Sequence, residues 1–307
     1  MIAIIRRRKL GNGSTRGIKQ YLSEMGTEVD IIRYDATGIK TLENGKFRFM
    51  GTEPNQELYK GILRWGYTGN IGFPDNKTIN TAQMIHNVND KIECRKKLIE
   101  SEISVPRTYF SKEEIMQAVV FNVSPLIGRP SHHAQGRHIK IINNTTDLIN
   151  DTTSQYWSEI INKDKEYRVY TFFGRIIMVA EKVPTEEGRQ RIAWNHFGGG
   201  SVFENVRWSE WPIESCKLAL KAANTIGIDF AGVDVMEKDG IPYILEINSA
   251  HSLTSEYRQR TFAKALKWAI GYMEEHETKP EHFPYPDRIR TYKSLILEAV
   301  RFPNGRE

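Results

Sequence analysis

Ile228-Asp229-Phe230-Ala231-Gly232-Val233-Asp234-Val235-Met236 and Tyr243-Ile244-Leu245-Glu246-Ile247-Asn248 are two apolar runs that carry a few acids. Between them lies Glu237-Lys238-Asp239-Gly240-Ile241-Pro242, whose Asp-Gly pair signals a hairpin turn. Successive side chains on a strand point to opposite faces. A turn centred near Gly240 therefore sets Asp234 opposite, or nearly opposite, Glu246. Val233, Val235, Leu245 and Ile247 then form an aliphatic face, while Asp234, Glu246 and Asn248 share the other. Two carboxylates this close repel each other unless a proton or a cation sits between them. A hard divalent cation such as Mg²⁺, which takes oxygen ligands and keeps waters and phosphates, relieves that repulsion. The competing reading is a solvent-facing polar strand. Glu246 and Asn248 end an otherwise apolar strand that belongs inside a sheet, and this favours the metal site.

Outward from the hairpin the pattern mixes helices and strands, an α/β (α+β) class. Residues 167–173 and 176–183 flank Gly174 as a second hairpin. Residues 214–225 have the spacing of an amphipathic helix and 255–275 of a long one. Toward the N-terminus, 2–5, 28–34 and 61–65 read as strands, 11–15 as a capped loop and 16–25 as a helix ending at Gly26. Residues 78–101 are predicted largely helical, from Ala82, Ile85, Val88, Ile92, Leu98 and Ile99. Helices at 113–119 and from 146, and strands at 125–128 and 139–142, follow. A proline-punctuated tail at 280–286 leads to a last helix at 290–300.

The 307 residues suffice for one large α/β domain or two modest ones, and 39% hydrophobic with 26% charged residues excludes general disorder. Two distant cysteines, Cys94 and Cys216, exclude a disulfide framework and point to a reducing compartment. No apolar run approaches the roughly 20 residues of a membrane span, and Met1-Ile2-Ala3-Ile4-Ile5 is too short for a signal-peptide core. A cytoplasmic protein without membrane contact is expected. The net charge of +5 suits phosphates or an acidic substrate, and equally a weak nucleic-acid binder. The densest basic run, Arg6-Arg7-Arg8-Lys9, reads as a solvated loop ending a strand, so nucleic acid is not the expected partner. His132, His133, His196 and His251 lack zinc-ligand spacing.

With its carboxylate hairpin the chain resembles the ATP-grasp superfamily, and within it the RimK-like carboxylate–amine ligases. The resemblance covers roughly 78–270 and rests most on the order of its segments. It implies an ATP-grasp fold: a small N-terminal pre-grasp domain over 1–88, a grasp domain over 89–275 with lobes at about 89–160 and 161–275, and a C-terminal tail and helix over 276–307. It implies ATP and Mg²⁺ (or Mn²⁺) as cofactors, with Asp234, Glu246 and Asn248 as metal ligands. Asn89-Asp90-Lys91-Ile92 is similar to the start of the grasp, where Lys91 approaches the nucleotide. Tyr156-Trp157-Ser158-Glu159-Ile160-Ile161 is similar to the hinge that receives adenine, through the backbone around Glu159 and Ile160. Glu166-Tyr167-Arg168-Val169 is similar to the family's acid-x-Arg strand, with Glu166 facing the nucleotide and Arg168 the γ-phosphate or acyl group. Arg189, Arg191, Asn195 and Gly198-Gly199-Gly200 fall where the family places an arginine and an asparagine near the phosphates. Arg168, Arg191 and Asn195 are thereby the implied catalytic set.

Three departures stand out. Arg129 occupies the place of a customary lysine; it keeps the charge but not the geometry. The following loop, with Gln135 and Gly136 toward the phosphates, has one glycine where relatives have several. Both changes resemble ATP-grasp proteins of tailed bacteriophages. Ser249-Ala250-His251-Ser252 replaces a common Pro-Gly turn. Read without the resemblance, Lys91 is a solvated helix residue, Arg168 could pair with Glu181 across its hairpin, and Gly198-Gly199-Gly200 could be a flexible loop. Arg189, Arg191 and Arg258 could hold an acidic substrate or stand as solvated charge.

The reaction so implied is activation of a carboxylate by ATP as an acyl phosphate, then displacement by an amine to give an amide or peptide-like bond. The partners would be small-molecule or peptide acids and amines, and a homo-oligomer is allowed. A kinase on the same fold, or a non-catalytic nucleotide- or nucleic-acid-binding protein, are the alternatives.

Overall fold

A computed structural model describes residues 1–7, 12–34, 40–42, 58–118, 125–131, 139–189 and 200–284. Strand β1 (Ile2–Arg7) has parallel partners on both sides, β2 (Val29–Tyr34) after helix α1 (Asn12–Glu24), and β4 (Gly61–Trp65). Strands β3 (Lys40–Leu42) and β5 (Thr78–Ile79) complete a sheet of order β3-β2-β1-β4-β5. Unbroken aliphatic runs suit a central parallel strand covered on both faces, and Ile2, Ala3, Ile4 and Ile5 are all buried. The strand runs two residues past its expected end because neighbours remain available: Arg6 pairs with Arg33 on one side and Trp65 on the other. Arg6 is fully buried there, so the expected solvated loop is corrected at its first residue. Arg8 and Lys9 lie outside the described residues. Asn12 to Thr15, expected as loop, form the first turn of α1.

The single helix expected from residue 78 is two, α2 (Ala82–Asn89) and α3 (Lys91–Glu100). Asp90 divides them. Its extended backbone ends α2, and its carboxylate accepts from the Ile92 and Glu93 amides to cap α3. Lys91 is thereby the first helical residue. A second, antiparallel sheet follows, of order β6-β9-β7-β8, built from β6 (Thr108–Tyr109), β7 (Leu126–Arg129), β8 (Lys140–Ile142) and β9 (Tyr156–Glu159). Helices α4 (Lys112–Gln117) and α5 (Thr145–Asn150) cover it.

The third sheet has order β12-β11-β10-β13-β14, all antiparallel. Its strands are β10 (Lys165–Phe172), β11 (Arg175–Pro184), β12 (Ser201–Asn205), β13 (Phe230–Lys238) and β14 (Ile241–Asn248). Short helix α6 (Glu186–Arg189) and α7 (Ile213–Ile226) lie between strands, and α8 (Glu256–His276) follows β14. Both tight hairpins have two turn residues at positive φ, Phe173-Gly174 at 40° and 64° and Asp239-Gly240 at 51° and 76°. That is the turn whose twist matches paired strands.

Helix α7 packs on one face of this sheet, where Val233, Val235, Ile244 and Ile247 meet Ala219, Ala223 and Ile226. A second core joins the first and third sheets through α1 and α8: Ile4, Leu22 and Trp65 share it with Phe172, Phe230, Phe262 and Leu266. The Phe230 and Phe262 rings stack at 3.9 Å. Asn80 ties the same junction, bonding the Phe230 amide at 2.9 Å and the Phe230 carbonyl at 2.8 Å, while its own amide donates to Asp229 Oδ2 at 2.8 Å. Lys279 also reaches Asp229 at 2.7 Å, and the Phe283 amide donates to the Phe173 carbonyl. The expected helix at 290–300 lies outside the described residues. Among those residues no helix is long and apolar enough to cross a membrane, and both cysteines are free and buried.

Candidate nucleotide and metal site

Asp234 and Glu246 stand directly opposite in the β13–β14 register. Immediately beyond them the register shifts, Val235 pairing with Ile244, so Leu245 is one residue too many. Such a bulge resets the side-chain alternation. Ile244, rather than the expected Leu245, joins Val233, Val235 and Ile247 in the buried aliphatic cluster, and Leu245 is left half-buried. The acidic face survives on the other side.

Each acid has a cation from a different element. Arg168 lies across from Asp234 on β10 and grips it with two bonds, Nε to Oδ1 at 2.6 Å and Nη2 to Oδ2 at 2.7 Å. The alternative pairing with Glu181 does not form; Glu181 is opposite Tyr167, and Arg168 faces Ala180. Burial would lower the Arg168 pKa, but the Asp234 charge and bonds outweigh it and raise it. Lys91 Nζ reaches Glu246 Oε1 at 2.8 Å and the Ile247 carbonyl at 2.9 Å. It is no solvated helix lysine. There too burial acts downward and the Glu246 charge prevails, raising the pKa. Asn248 Nδ2 lies 3.4 Å from Asp234 Oδ2, closing the set.

Beside it lies a second charge cluster. Glu166, on the same face of β10 as Arg168, is 1% exposed and held between Lys163 and Lys182, the latter at 2.5 Å. Burial pushes its carboxyl up, yet the two lysines together hold it below the ordinary value. Lys163 is pushed down, chiefly by burial. Phe203, on β12, underlies both clusters, with the Arg168 guanidinium 4.7 Å and the Lys182 ammonium 6.0 Å from its ring centre. Sequence reasoning missed Lys163 and Lys182; counting register back from the Phe173-Gly174 turn would set Glu166 opposite Glu181, and only the register shift between Tyr170 and Thr171 brings Lys182 beside it. It also missed Arg95, whose guanidinium donates to the Ile244 and Leu245 carbonyls at 3.0 and 2.7 Å and so pins α3 to the bulge.

The second sheet holds the remaining described candidates. Arg129 ends β7, is buried, and donates to Ser158 Oγ at 3.2 Å. It is near enough to Arg95 to add, after burial, to the lowering of that pKa. Glu159 ends β9; its amide donates to the Arg107 carbonyl, and its Oε1 accepts from the Arg107 amide, both at 2.9 Å. Ile160 follows, half-buried. Lys140 meets Asp151 at 3.0 Å; burial would raise that carboxyl, but bonds from Ser154, Lys140 and the Thr153 and Ser154 amides hold it well below the ordinary range. Arg189 closes α6. Gln135, Gly136, Arg191 and Asn195 lie outside the described residues, as do His132, His133, His196, Gly198 and Gly199.

His251, in the segment after Asn248, is buried among Trp65, Tyr170 and Phe230, with ring centres 5.5, 5.1 and 4.5 Å away. Its Nδ1 lies 3.1 Å from the Asn248 carbonyl. Burial first, then the Arg168 charge, pushes the imidazole down to about 3. Gly232 makes room for the ring, since a Cβ there would come within 2.7 Å of it.

The structure thus brings Lys91, Glu166, Arg168, Asp234, Glu246 and Asn248 onto one face. Two carboxylates and an amide oxygen are hard donors, which fit Mg²⁺ better than a soft metal. Among the described residues no group of three or more His, Cys, Asp or Glu side chains could hold a metal.

Residues 88–268 match the RimK-like ATP-grasp domain family. The chain belongs to that family. A probable alpha-L-glutamate ligase of Shewanella pealeana is 25% identical to this RimK-like chain over 191 residues, 58% of this chain and 40% of the relative. That of Vibrio vulnificus strain YJ016 is 26% identical over 261 residues, 78% of this chain and 84% of the relative. The chain spans about two-fifths of the length of the first curated relatives it matches, at 40%, 39% and 39%. Among solved structures, the ATP-grasp ligase PsnB, complexed with a phosphomimetic variant of minimal precursor, Mg and ADP, superposes with a TM-score of 0.60. It covers 87% of this chain and 97% of that one at 14% identity. The fold is that of the ATP-grasp ligases.

Proposed function

We propose that this RimK-like chain is an ATP- and Mg²⁺-dependent ligase that activates a carboxylate as an acyl phosphate, releases ADP and joins the acyl group to an amine. The observation that carries this reading is the opposition of Asp234 and Glu246, each neutralised by a cation from another element, in a chain of this family. Asp234, Glu246 and Asn248 would hold Mg²⁺, which would supply charge neutralisation for the phosphates. Arg168 and Lys91 pair with the two acids; were the acids to hold a cation instead, the two side chains would be left to meet phosphate oxygens.

Phosphoryl transfer asks for positioning and charge neutralisation rather than a protein nucleophile. Lys91, Arg129 and Arg168 give the positive field, and Arg191 and Asn195, from the segment before β12, complete the catalytic set with Arg168. Enclosure of Lys91, Arg129 and Arg168 strengthens their charges. The main chain at Glu159 and Ile160 receives adenine, Gln135 and Gly136 cover the phosphates, and Glu166 orders Lys163 and Lys182 beside them. The first 88 residues act as a pre-grasp unit, lobes 89–160 and 161–275 close on the nucleotide, and 276–307 form a tail. The relatives' names support an amino-acid partner and PsnB's precursor a peptide one, and the cytoplasm supplies both with ATP.

The test is ADP release with Mg²⁺ against amino acids and acidic peptides offered in pairs. A ligase needs both partners. ADP release with one partner and a phosphorylated product would replace this reading with a kinase.

A further inference from the structure

Asn248 ends β14 and is the one proposed metal ligand without a charge. Its side chain holds Asp234 loosely, at 3.4 Å, so the aim of its amide depends on how its main chain is seated. On one side that seat is β13, where Gly232 stands opposite Asn248 in the register. On the other it is the following segment, Ser249-Ala250-His251-Ser252, from which one side chain reaches back. His251 Nδ1 lies 3.1 Å from the Asn248 carbonyl. A carbonyl can only accept, so the imidazole carries a hydrogen on Nδ1 and donates it. The common Pro-Gly turn that this segment replaces has no side-chain donor to offer.

The imidazole is clamped. It is 3% exposed, and Phe230, Tyr170 and Trp65 close around it. Gly232 gives it room, since a Cβ there would meet the ring at 2.7 Å. The position facing Asn248 across the strands is thus reduced to hydrogen where the ring lies. Tyr170 and Phe230 belong to the third sheet, but Trp65 belongs to the first. The segment is held from the first unit at a second point, where the Leu253 amide donates to Ser14 Oγ of α1 at 2.9 Å. Packing alone does not call for a histidine in this cage. Its Nε2 is enclosed without a partner, a cost that a phenyl ring would avoid. What histidine adds over phenylalanine is the bond from Nδ1.

Resting on the metal ligands of the ligase reading, we infer that His251 is a positioning residue for the metal: it fixes the main chain of Asn248 and so aims the amide oxygen beside Asp234 and Glu246. Groups that orient a metal ligand from behind typically cost about 10- to 100-fold in metal affinity when removed. Because Trp65 forms one wall of the cage, the first sheet takes part in setting a ligand carried by the third.

The test uses the full chain saturated with a non-hydrolysable ATP analogue, and Mn²⁺ in place of Mg²⁺, with bound metal read from the electron paramagnetic resonance signal. His251→Phe keeps the ring and removes the donor. It should bind Mn²⁺ about tenfold or more weakly than wild type. Its melting temperature and its metal-free affinity for the analogue should stay at the wild-type values. His251→Asn, whose amide nitrogen stands where Nδ1 does, should recover most of the metal affinity. His251→Gln, whose amide nitrogen reaches the place of Nε2, should not. A merely structural role predicts the opposite order, with phenylalanine the best replacement in an aromatic cage. Wild-type Mn²⁺ affinity in His251→Phe, an Asn variant no better than the Phe variant, or an equal loss of metal-free analogue affinity each overturns the assignment. ADP release by wild type, with wild-type Mn²⁺ affinity in His251→Phe, fails this inference alone. A wild type that binds Mn²⁺ with the expected order of variants, yet releases no ADP with any acid and amine pair, fails the ligase reading alone. A wild type that binds no Mn²⁺ fails both.

Discussion

Asp234→Asn removes one charge from a pair whose side chains are 8% and 12% exposed. Arg168 is then left buried with a neutral amide where it had two charged bonds of 2.6 and 2.7 Å. Breaking one side of a buried ion pair costs about 3–5 kcal/mol. The asparagine oxygen still accepts one bond, which offsets about 1 kcal/mol and leaves roughly 2–4 kcal/mol. At roughly 2–4 °C per kcal/mol for chains of somewhat smaller size, the melting temperature falls by roughly 4–16 °C. The protein remains folded at room temperature. Urea unfolding without ligands measures the loss, with an unchanged m-value showing that the same surface is exposed. Adding Arg168→Met to Asp234→Asn removes the stranded charge and should recover part of the stability, a coupling readable from the double-mutant cycle. A single variant within about 0.5 kcal/mol of wild type, the usual range for surface substitutions, would refute the buried-pair argument. So would a double variant no more stable than the single one.

In the same proteins, Asp234→Asn and Glu246→Gln should each abolish Mg²⁺-dependent ATP turnover; turnover at the wild-type rate in both would remove the metal assignment. Arg129→Lys should keep part of the activity and Arg129→Ala little, so full activity in Arg129→Ala would exclude a phosphate role. Asn80→Ala strands the Phe230 amide and carbonyl in a fully buried place, at about 1–3 kcal/mol each, and a denaturation midpoint close to wild type would contradict this. Asp151 has a depressed folded-state pKa, so its stabilisation is complete above the unfolded value of about 3.9 and is lost as pH falls through the folded one. Stability of Asp151→Asn should therefore fall less steeply than wild type below about pH 4, and identical acid slopes would exclude the effect.

The parts of the fold written in local chemistry were legible. The Asp239-Gly240 turn and the flanking apolar runs gave the hairpin and the opposition of Asp234 to Glu246. Leu245 was misplaced because a bulge adds no residue type of its own; it follows from how Arg95 and β13 seat β14, which is an edge strand rather than the central one expected. The break at Asp90 hid inside a good helical pattern, since a capping aspartate reads as an ordinary polar helix residue until its partners are seen. Arg6 was taken for a loop residue because a basic run looks solvated, and only the strands on either side bury it. Arg168 was open between a phosphate- or acyl-facing place and a pair with Glu181; sheet order set it against Asp234, and sheet order is long-range information. Short strands β5, β6 and β12 were missed for the same reason. Two or five residues carry too little periodicity to stand out.

The core shared by the first and third sheets has an evolutionary consequence. Trp65 from one sheet and Phe172 from the other press on the same Phe262 of α8, while Asn80 laces the seam. A recombination event that imported a foreign first sheet would meet α8 shaped for the old one. Helix and sheet must therefore be inherited together, although some two hundred residues of chain separate them. Natural or designed chimeras should survive only when their crossover points respect that marriage.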